Sequence, residues 1–327
     1  METFRTVIRP VRSPDRINYG TPLMMLGSCF AENIGCQLQR LKFNMVINPF
    51  GTVFHPLPIA RQLQRMIAAE KYTKDDLLYH HESWISFDHH GRFSHPDADV
   101  CLQGINRELL EGRRQLTQAG WIFVAFGTAW AYRRKDTGQI AANCHQYPAG
   151  MFERVRSGVD EICEKWEKTI AALHVCSPDA KIVFTVSPVR HLRDGAHENQ
   201  LSKATLLLSV ERLNSITGAG YFPAYEILLD DLRDYRFYGE DMTHPSPAAM
   251  QYIREYFRET YLTDEASRIM KEVEDIVKAS DHRPVHRNAA TRAFAANCLD
   301  KIRSMQQRFP QMNFTDEITL FEQMRLM

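Results

Sequence analysis

Short apolar runs alternate with helix-like segments along most of this chain, and this alternation restricts its fold more than any other feature. The predicted strands are residues 23–26, 45–47, 121–126, 181–186 and 221–228. Helical spacing of apolar residues follows at 30–41, 57–69, 105–118, 159–173 and 200–216. Continuous apolar runs are typical of strands that are buried on both faces of a sheet. The pattern therefore predicts an α/β fold with a mostly parallel, five-stranded sheet between helical layers.

Two regions depart from the alternation. Residues 71–100 are polar and rich in histidine and aspartate, which predicts an insertion over the site within an α/β domain of residues 1–262. Residues 263–327 are helical in pattern and charged, with a break near 281–284, and are predicted to form a helical C-terminal extension. These helices are expected either to form a homodimer or to pack onto the sheet.

Composition argues against nucleic-acid and membrane partners. Lys plus Arg number 40 and Asp plus Glu number 40, so no overall field attracts a polyanion. No segment approaches the roughly 18 consecutive apolar residues of a membrane span, and the N-terminus lacks an apolar region followed by a cleavage site. The seven cysteines are scattered without a C-x-x-C pair. This pattern favours reduced thiols, a cytoplasmic location and no zinc site.

Polar residues follow several of the predicted strands. In parallel sheets, ligands bind beyond the carboxyl ends of the strands. Those ends carry Gly27-Ser28-Cys29, Asn48-Pro49-Phe50-Gly51, Gly127-Thr128 and Ser187-Pro188-Val189-Arg190-His191. The sequence therefore predicts a binding site at this edge. Arg190 and His191 are candidate substrate contacts there, with the alternative that they are solvent-exposed beside Asp194.

One of these segments, Gly27-Ser28-Cys29, and a later element, Asp241-Met242-Thr243-His244, contain the groups needed for nucleophilic catalysis. Asp241 precedes His244 by three residues, a spacing that lets a carboxylate orient an imidazole. Cys29 and Ser28 compete as nucleophile, and a helix N-terminus should lower the pKa of the Cys29 thiol. The alternatives are a serine N-cap, a buried core cysteine and, for the Asp–His pair, a turn that begins a helix.

Other chemistry-bearing residues have ordinary explanations beside functional ones. Lys203 could pair with a substrate carboxylate or phosphate, although surface lysines are common. Five histidines lack H-E-x-x-H spacing and paired cysteines, so they are predicted to be solvated rather than metal ligands: His80, His81, His89, His90 and His95. There is no glycine-rich phosphate-binding motif, and no cofactor is predicted.

These motifs together resemble the GSCFA family, which is related to the SGNH (GDSL-like) hydrolase superfamily. Gly27-Ser28-Cys29-Phe30-Ala31 stands in full. Similar elements follow at Asn48-Pro49-Phe50-Gly51, Gly127-Thr128-Ala129-Trp130, Ser187-Pro188-Val189-Arg190-His191, Ser202-Lys203 and Asp241-Met242-Thr243-His244-Pro245. The resemblance covers about residues 21–261. It implies a three-layer α/β/α, flavodoxin-like SGNH-hydrolase fold.

The resemblance also implies roles for individual residues. It aligns the superfamily's nucleophilic Ser with Cys29 and its preceding Asp with Ser28, while Asp241 and His244 complete the triad. The superfamily's oxyanion Asn falls on Ala129, and losing one such donor costs about 2.7–4 kcal/mol of transition-state stabilisation. The implied substitutes are the N–H groups of Cys29 or Phe30 and the side chain of Asn48 near Gly51.

The function that follows is an acyl hydrolase acting on an O-acyl ester, with an O-acylated saccharide as the substrate suggested by the superfamily. One alternative is an acyltransferase that uses an acyl-CoA donor, because a cysteine handles thioesters readily. Another is a non-catalytic ligand-binding or scaffold protein, which the missing Asn and the long helical tail favour.

Overall fold

The computed structural model describes residues 4–282 and 288–326. The strands are β1 (Leu23–Gly27), β2 (Met45–Ile47), β3 (Leu78–His80), β4 (Ser83–Ile85), β5 (Trp121–Phe126), β6 (Trp130–Arg134), β7 (Phe152–Arg156), β8 (Lys181–Val186) and β9 (Gly220–Tyr221). The helices are α1 (Cys29–Arg40), α2 (Pro56–Ala68), α3 (Ala98–Leu116), α4 (Val159–Cys176), α5 (Ala196–Thr217), α6 (Ala224–Glu226), α7 (Pro247–Tyr261), α8 (Asp264–Asp281), α9 (Ala289–Arg308) and α10 (Thr315–Leu326).

The central sheet has five strands in the order β2-β1-β5-β8-β9. Every neighbouring pair in it is parallel. All five residues of β1 and all six of β5 are buried, as expected for a sheet covered on both faces. The predicted α/β architecture is therefore confirmed, and the first four predicted strands fall within one residue of their observed bounds.

The predicted fifth strand at 221–228 is wrong over most of its length. Only Gly220–Tyr221 pairs with the sheet, at Val183 and Phe184 of β8. Pro223 lacks the N–H that a continuing ladder would need, and its carbonyl instead accepts the N–H of Ile227 at 3.0 Å. The chain then continues as α6 and a π-helix, Ile227–Leu232. An apolar run alone does not separate a buried helix from a buried strand.

Two antiparallel hairpins lie outside the central sheet, β3 with β4 and β6 with β7. The sequence pattern did not indicate the second hairpin, because neither β6 (WAYRR) nor β7 (FERVR) shows the regular alternation of apolar and polar residues that is typical of a half-buried strand. In the register of this hairpin, Trp130 faces Arg156 and Tyr132 faces Arg154. The hairpin begins three residues after Gly127, and thus starts at the carboxyl edge of the central sheet.

The chain divides into two compact units. The first comprises Met1–Pro10, Pro22–Gly35 and Met45–Phe257, and the second comprises Val11–Thr21, Cys36–Asn44 and Arg258–Met327. In the second unit, buried apolar residues line α8, α9 and α10, among them Val273, Ile302 and Phe321. The helical C-terminal region is confirmed, whereas the boundary at residue 262 and the homodimer stay predictions. Helix α8 ends at Asp281, the first residue of the predicted break at 281–284, and residues 283 and 284 lie outside the described residues.

Among the helices that the structure describes, none is both long enough and apolar enough to cross a membrane.

Candidate active site

The structure brings Cys29, His244 and Asp241 together at the carboxyl edge of the sheet. The Cys29 Sγ lies 3.5 Å from His244 Nε2. The other ring nitrogen, His244 Nδ1, lies 2.5 Å from Asp241 Oδ2. A nucleophile within hydrogen-bond reach of a base, which is itself oriented by a third group, is the arrangement that activates a nucleophile.

A sharp turn between β1 and α1 presents Cys29 to this site. Gly27 has φ +120°, and a Cβ at this position would overlap the carbonyl oxygen of Ala125 on the adjacent strand. Only glycine accommodates both this conformation and this close approach. The Ser28 N–H then donates to the Ala125 oxygen at 3.1 Å, and the Glu32 N–H donates to the Ser28 oxygen at 3.1 Å to begin the helix.

Hydrogen bonds within the Asp241–His244 loop hold the carboxylate in place. Asp241 Oδ1 accepts the backbone N–H groups of Thr243 and His244, both at 3.0 Å, and Oδ2 accepts the Thr243 hydroxyl at 2.8 Å. Hydrogen bonds from His244, first from its backbone and then from its ring, hold the pKa of Asp241 well below its usual range. Asp241 does not cap α7, because that helix is capped by Ser246 Oγ, which accepts the Ala249 N–H.

The expected low pKa of the Cys29 thiol is wrong in direction. Burial raises the pKa of Cys29 and outweighs the backbone hydrogen bonds from Phe30 and Cys29 and the charge of Lys203, which lower it. The helix N-terminus acts as expected, but burial is the larger effect. Cys29 is therefore a neutral thiol near pH 7, and it needs a base to become a nucleophile.

Ser28, the competing nucleophile, does not reach the imidazole. Its side chain is buried, with 1% of the residue exposed, and its Oγ has no hydrogen-bond partner in the described part of the chain. The structure therefore pairs the base with the thiol of Cys29.

Asn48 presents an unused donor beside the turn. Its Oδ1 accepts the backbone N–H of Gly27 at 2.8 Å. The backbone N–H of Asn48 donates to the backbone oxygen of Met25 at 3.0 Å. Its Nδ2 is buried and lacks a hydrogen-bond partner among residues 4–282 and 288–326. Buried donors are almost always paired, so an unpaired one calls for a specific reason. An arriving acceptor, such as a substrate oxygen, would supply the missing partner.

Gly51 does not share this donor role. Its N–H already donates to the Asn48 oxygen at 2.7 Å. With φ +90°, it also lies where a Cβ would overlap the Cβ of His90. Gly51 therefore shapes the loop after β2, and its N–H is not free to bind an oxyanion.

The N–H groups of Gly127 and Thr128 are occupied as well. Both donate to the Phe54 oxygen, at 2.8 and 3.2 Å. The Thr128 hydroxyl bonds Ser202 Oγ at 3.1 Å, and the same oxygen accepts the Ala129 N–H at 2.7 Å. This loop therefore offers no free backbone donor at the position of the superfamily's oxyanion element.

Arg190 contacts the loop that carries Asp241 and His244. Its backbone N–H donates to the backbone oxygen of Thr243 at 3.1 Å, and its guanidinium Nη1 donates to the backbone oxygen of Met242 at 3.2 Å. Met242 has φ +56°, a conformation rare for residues other than glycine. The contacts from Arg190 therefore stabilise a strained turn between Asp241 and His244. A direct substrate contact by Arg190 stays a prediction.

His191 lies beside Asp194, the carboxylate of its alternative interpretation, but it is half-buried rather than solvent-exposed. Its Nδ1 is 3.6 Å from Asp194 Oδ2. Asp194 also forms a bidentate ion pair with Arg154, in which Arg154 Nε donates to Oδ1 at 3.0 Å and Nη2 donates to Oδ2. Burial, followed by the charge of Arg154, lowers the pKa of His191. A neutral, half-buried imidazole results, and its role in substrate binding stays a prediction.

Lys203 is not a surface residue that could pair with a substrate anion. It is 1% exposed, and its Nζ donates to the carbonyl oxygens of Gly127 and Ser187, both at 2.7 Å. Burial lowers its pKa to about 7. The sequence held a signal for this burial, because Lys203 falls on the same helical stripe as the apolar residues Leu206, Val210 and Leu213.

The predicted insertion, residues 71–100, contacts the loop after β2. The His90 N–H donates to the Phe50 oxygen at 3.0 Å, and Arg92 Nη2 donates to the oxygens of Asn48 and Pro49 at 3.1 and 3.0 Å. His89 is only 1% exposed, so the expectation that it is solvated is wrong. Within the described ranges, no group of His, Cys, Asp and Glu has a geometry that could hold a metal ion.

The fold and the site together define an α/β protein with a cysteine, a histidine and an aspartate in triad geometry at the carboxyl edge of a parallel sheet. The model of the GSCFA family matches residues 22–257. A second model, the C-terminal domain of GSCFA domain proteins, matches residues 273–325. The chain belongs to the GSCFA family.

Comparison with curated proteins gave no match. Among solved structures, the chain is similar to an acetyl xylan esterase from the rumen bacterium Butyrivibrio proteoclasticus, with 13% identity and a TM-score of 0.36. The matched region covers 74% of this chain and 64% of that chain. A likeness at this level supports no argument about function.

Proposed function

We propose that this protein is an acyl-ester hydrolase in which Cys29 is the nucleophile. His244 is the general base and then the general acid, and Asp241 orients its ring. The observation that carries the proposal is the contact of Cys29 Sγ with His244 Nε2 at 3.5 Å, with the opposite ring nitrogen held by Asp241. Because the nucleophile and the base come from distant parts of the chain, helix capping alone does not account for their contact.

The proposed reaction proceeds through a thioester on Cys29. His244 Nε2 takes the proton of the thiol as the sulfur attacks the ester carbonyl, and a tetrahedral oxyanion forms. When this intermediate collapses, the carbon–oxygen bond of the ester breaks and the imidazolium protonates the leaving alcohol. His244 then deprotonates a water molecule that attacks the thioester. The acid leaves, and the thiol is restored.

The raised pKa of Cys29 makes the base essential to this scheme. A thiolate of low pKa would attack unaided, whereas a neutral thiol must lose its proton as the new bond forms. Hydrogen bonds from Thr243 and His244 keep Asp241 ionised, so it can stabilise the imidazolium that appears at each proton transfer. We therefore assign one proton-transfer pathway, from Cys29 Sγ to His244 Nε2 and on to the leaving group.

The proposed oxyanion site uses one unpaired side-chain donor and two backbone amides next to the sulfur. They are Asn48 Nδ2, which is buried and unpaired in the described part of the chain, and the backbone amides of Cys29 and Phe30, which hydrogen-bond the Cys29 sulfur. Donors fixed before the reaction stabilise developing charge without reorganisation. The resemblance places an oxyanion-binding Asn at position 129, where this chain has Ala129. In this scheme Asn48 supplies the side-chain donor that Ala129 lacks.

An O-acylated saccharide remains the proposed substrate class. Trp130 supports it, because its ring is half-buried, it directly follows Ala129 in the chain, and its buried Nε1 has no hydrogen-bond partner within the described chain. An indole with a free N–H can contact a sugar ring and donate to a hydroxyl. None of the seven cysteines, all of them in the described part of the chain, forms a disulfide bond, which supports the cytoplasm as the proposed compartment.

The test is hydrolysis of short-chain chromogenic esters by the wild-type protein and four variants. Cys29→Ala and His244→Ala should abolish turnover, and Ser28→Ala should retain most of it. Cys176→Ala, a half-buried cysteine at the end of α4, is the matched control. Equal activity in the wild-type protein and Cys29→Ala would rule the proposal out. Transfer of an acetyl group from acetyl-CoA to Cys29 without ester hydrolysis would instead favour the acyltransferase.

A further inference from the structure

One ammonium group joins the carboxyl ends of β5 and β8, and β5 pairs with β1, the strand whose carboxyl end leads to Cys29. Gly127 directly follows β5 and Ser187 directly follows β8, and Lys203 Nζ donates to both of their carbonyl oxygens at 2.7 Å. The neighbouring Ser202 bonds the Ala129 N–H at 2.7 Å. Ser202 and Lys203, consecutive residues of α5, therefore both hydrogen-bond the loop that follows β5. These bonds fix the position of the Lys203 charge at the carboxyl edge of the sheet.

The surroundings of Lys203 supply almost no opposite charge. Its side chain is buried, yet within the described ranges no carboxylate forms an ion pair with it. The ring of Tyr225 lies 5.8 Å from Nζ, and the facing ionisable groups are Cys29 and His191. Burying a cation without a carboxylate partner is expensive, and an apolar side chain of the same length would fill this space more cheaply. The charge therefore calls for an explanation beyond packing.

Cys29 is the group that can become the missing anion. The charge of Lys203 lowers the pKa of Cys29, and an ionised Cys29 in turn raises the pKa of Lys203. The two carbonyl acceptors also favour the ammonium form of the lysine. A positive charge fixed in a buried site stabilises a nearby thiolate more strongly than it would in water.

We propose that Lys203 is a positioning residue that supplies the fixed counter-charge for the thiolate of Cys29 and holds the two strand ends beside it. This role rests on the proposed function, because it concerns the same nucleophile. The proton of Cys29 still passes to His244 Nε2, and Lys203 keeps its protons throughout. Lys203 thus acts through its electric field on the sulfur, without touching the substrate.

The experiment measures alkylation of Cys29 by iodoacetamide, with the modified peptide quantified by mass spectrometry at pH 6, which lies below the pKa of Lys203 of about 7 and leaves most of the lysine charged. Lys203→Met and Lys203→Gln remove the charge, and Lys203→Arg keeps it. Lys165→Met is the control, because this lysine of α4 bonds Gln64. A rise of one pKa unit in Cys29 lowers its thiolate population tenfold, and the higher nucleophilicity of the more basic thiolate reduces the loss in rate to about three- to fourfold.

We expect at least that loss in Lys203→Met and Lys203→Gln, partial recovery in Lys203→Arg and no change in Lys165→Met. Thermal unfolding identifies the variants that are folded, and Lys203→Gln can still donate to one carbonyl if Lys203→Met does not fold. A folded neutral variant with the wild-type alkylation rate would overturn the proposal. Alkylation requires no ester turnover, so this result is separable from a failure of the proposed hydrolase activity.

Discussion

The side-chain oxygen of Asn48 accepts the N–H of Gly27 at 2.8 Å, two residues before the nucleophile. The other end of the same amide, Nδ2, is buried without a partner in the described residues. One side chain thereby fixes the turn that presents Cys29 and directs an unused donor to the same place. A buried side-chain amide whose oxygen is bonded and whose nitrogen is unpaired can donate a hydrogen bond to a carbonyl oxygen of a bound substrate.

The first prediction separates these two roles of Asn48. Asn48→Asp keeps an oxygen for the Gly27 N–H but removes the free N–H donor. We expect kcat for ester hydrolysis to fall by about 10²–10³, the typical effect of losing one oxyanion donor, in a protein that still folds because the oxygen for the Gly27 N–H is kept. Asn48→Ala, which loses both interactions, should lower both kcat and stability. Wild-type kcat in Asn48→Asp would exclude Asn48 from the oxyanion site.

The second prediction concerns the turn at Gly27. Gly27→Ala forces a side chain into a φ of +120° and against the carbonyl of Ala125. The backbone conformation alone should cost about 1–3 kcal/mol in the free energy of unfolding, and the overlap adds to this. Gly158→Ala is the control, since an added Cβ there meets no atom of the described chain within 4 Å. Denaturant unfolding measures both variants, and equal stabilities would contradict the proposed turn.

The third prediction is a dependence of stability on pH that arises from His89. Burial lowers its pKa to about 3, against roughly 6.5 in an unfolded chain. Between these values the unfolded state binds the extra proton, so the free energy of unfolding falls as the pH falls, by up to about 1.4 kcal/mol per pH unit. His89→Leu should flatten this slope between pH 6 and pH 4.

The matched control for this slope is His174→Leu, which removes an exposed imidazole from α4. Denaturant titrations at several pH values give the slope for each protein. His55, which is also buried and has its pKa lowered to about 3, should maintain part of the slope in His89→Leu. A slope in His89→Leu as steep as in the wild-type protein would show that His89 does not stay neutral in the folded state.

The fourth prediction separates an active thiol from an inert one. Cys29 is partly exposed and contacts His244, whereas Cys298 is buried in α9. We expect iodoacetamide to modify Cys29 faster than Cys298 near pH 7, and His244→Ala to slow the reaction at Cys29 alone. Equal rates at the two cysteines would favour a non-catalytic ligand-binding or scaffold protein.

Much of the site was predictable because its residues lie at the ends of apolar strands. The strands can be recognised one by one along the chain, and the three-residue spacing of Asp241 and His244 is a local feature of the sequence. The direction of the Cys29 pKa shift was not predictable, because it depends on how deeply tertiary packing buries the sulfur. The burial of Lys203 was visible only as helical periodicity, and its two carbonyl partners come from strands that are distant in the chain.

The fold shows the same division between local and tertiary signals. Four of the five predicted strands were correct because each is a continuous apolar run with polar residues at its end. The fifth prediction was wrong because Pro223 ends the pairing with β8, and the apolar residues that follow are buried as a helix instead. The strands β6 and β7 lack a regular alternation of apolar and polar residues, so the pattern did not indicate their hairpin, which packs partly through contacts of Arg154 with Trp130 and Tyr132.

The most direct measurement of the central claim is the mass of the protein, and of its Cys29 peptide, after rapid acid quenching of a reaction with p-nitrophenyl acetate. The mechanism predicts one acetyl group on Cys29 in the wild-type protein, much slower acetylation in His244→Ala and none at this position in Cys29→Ala. Hydrolysis of the ester with no acyl group on Cys29 at any quench time, and with undiminished turnover in Cys29→Ala, would contradict the account.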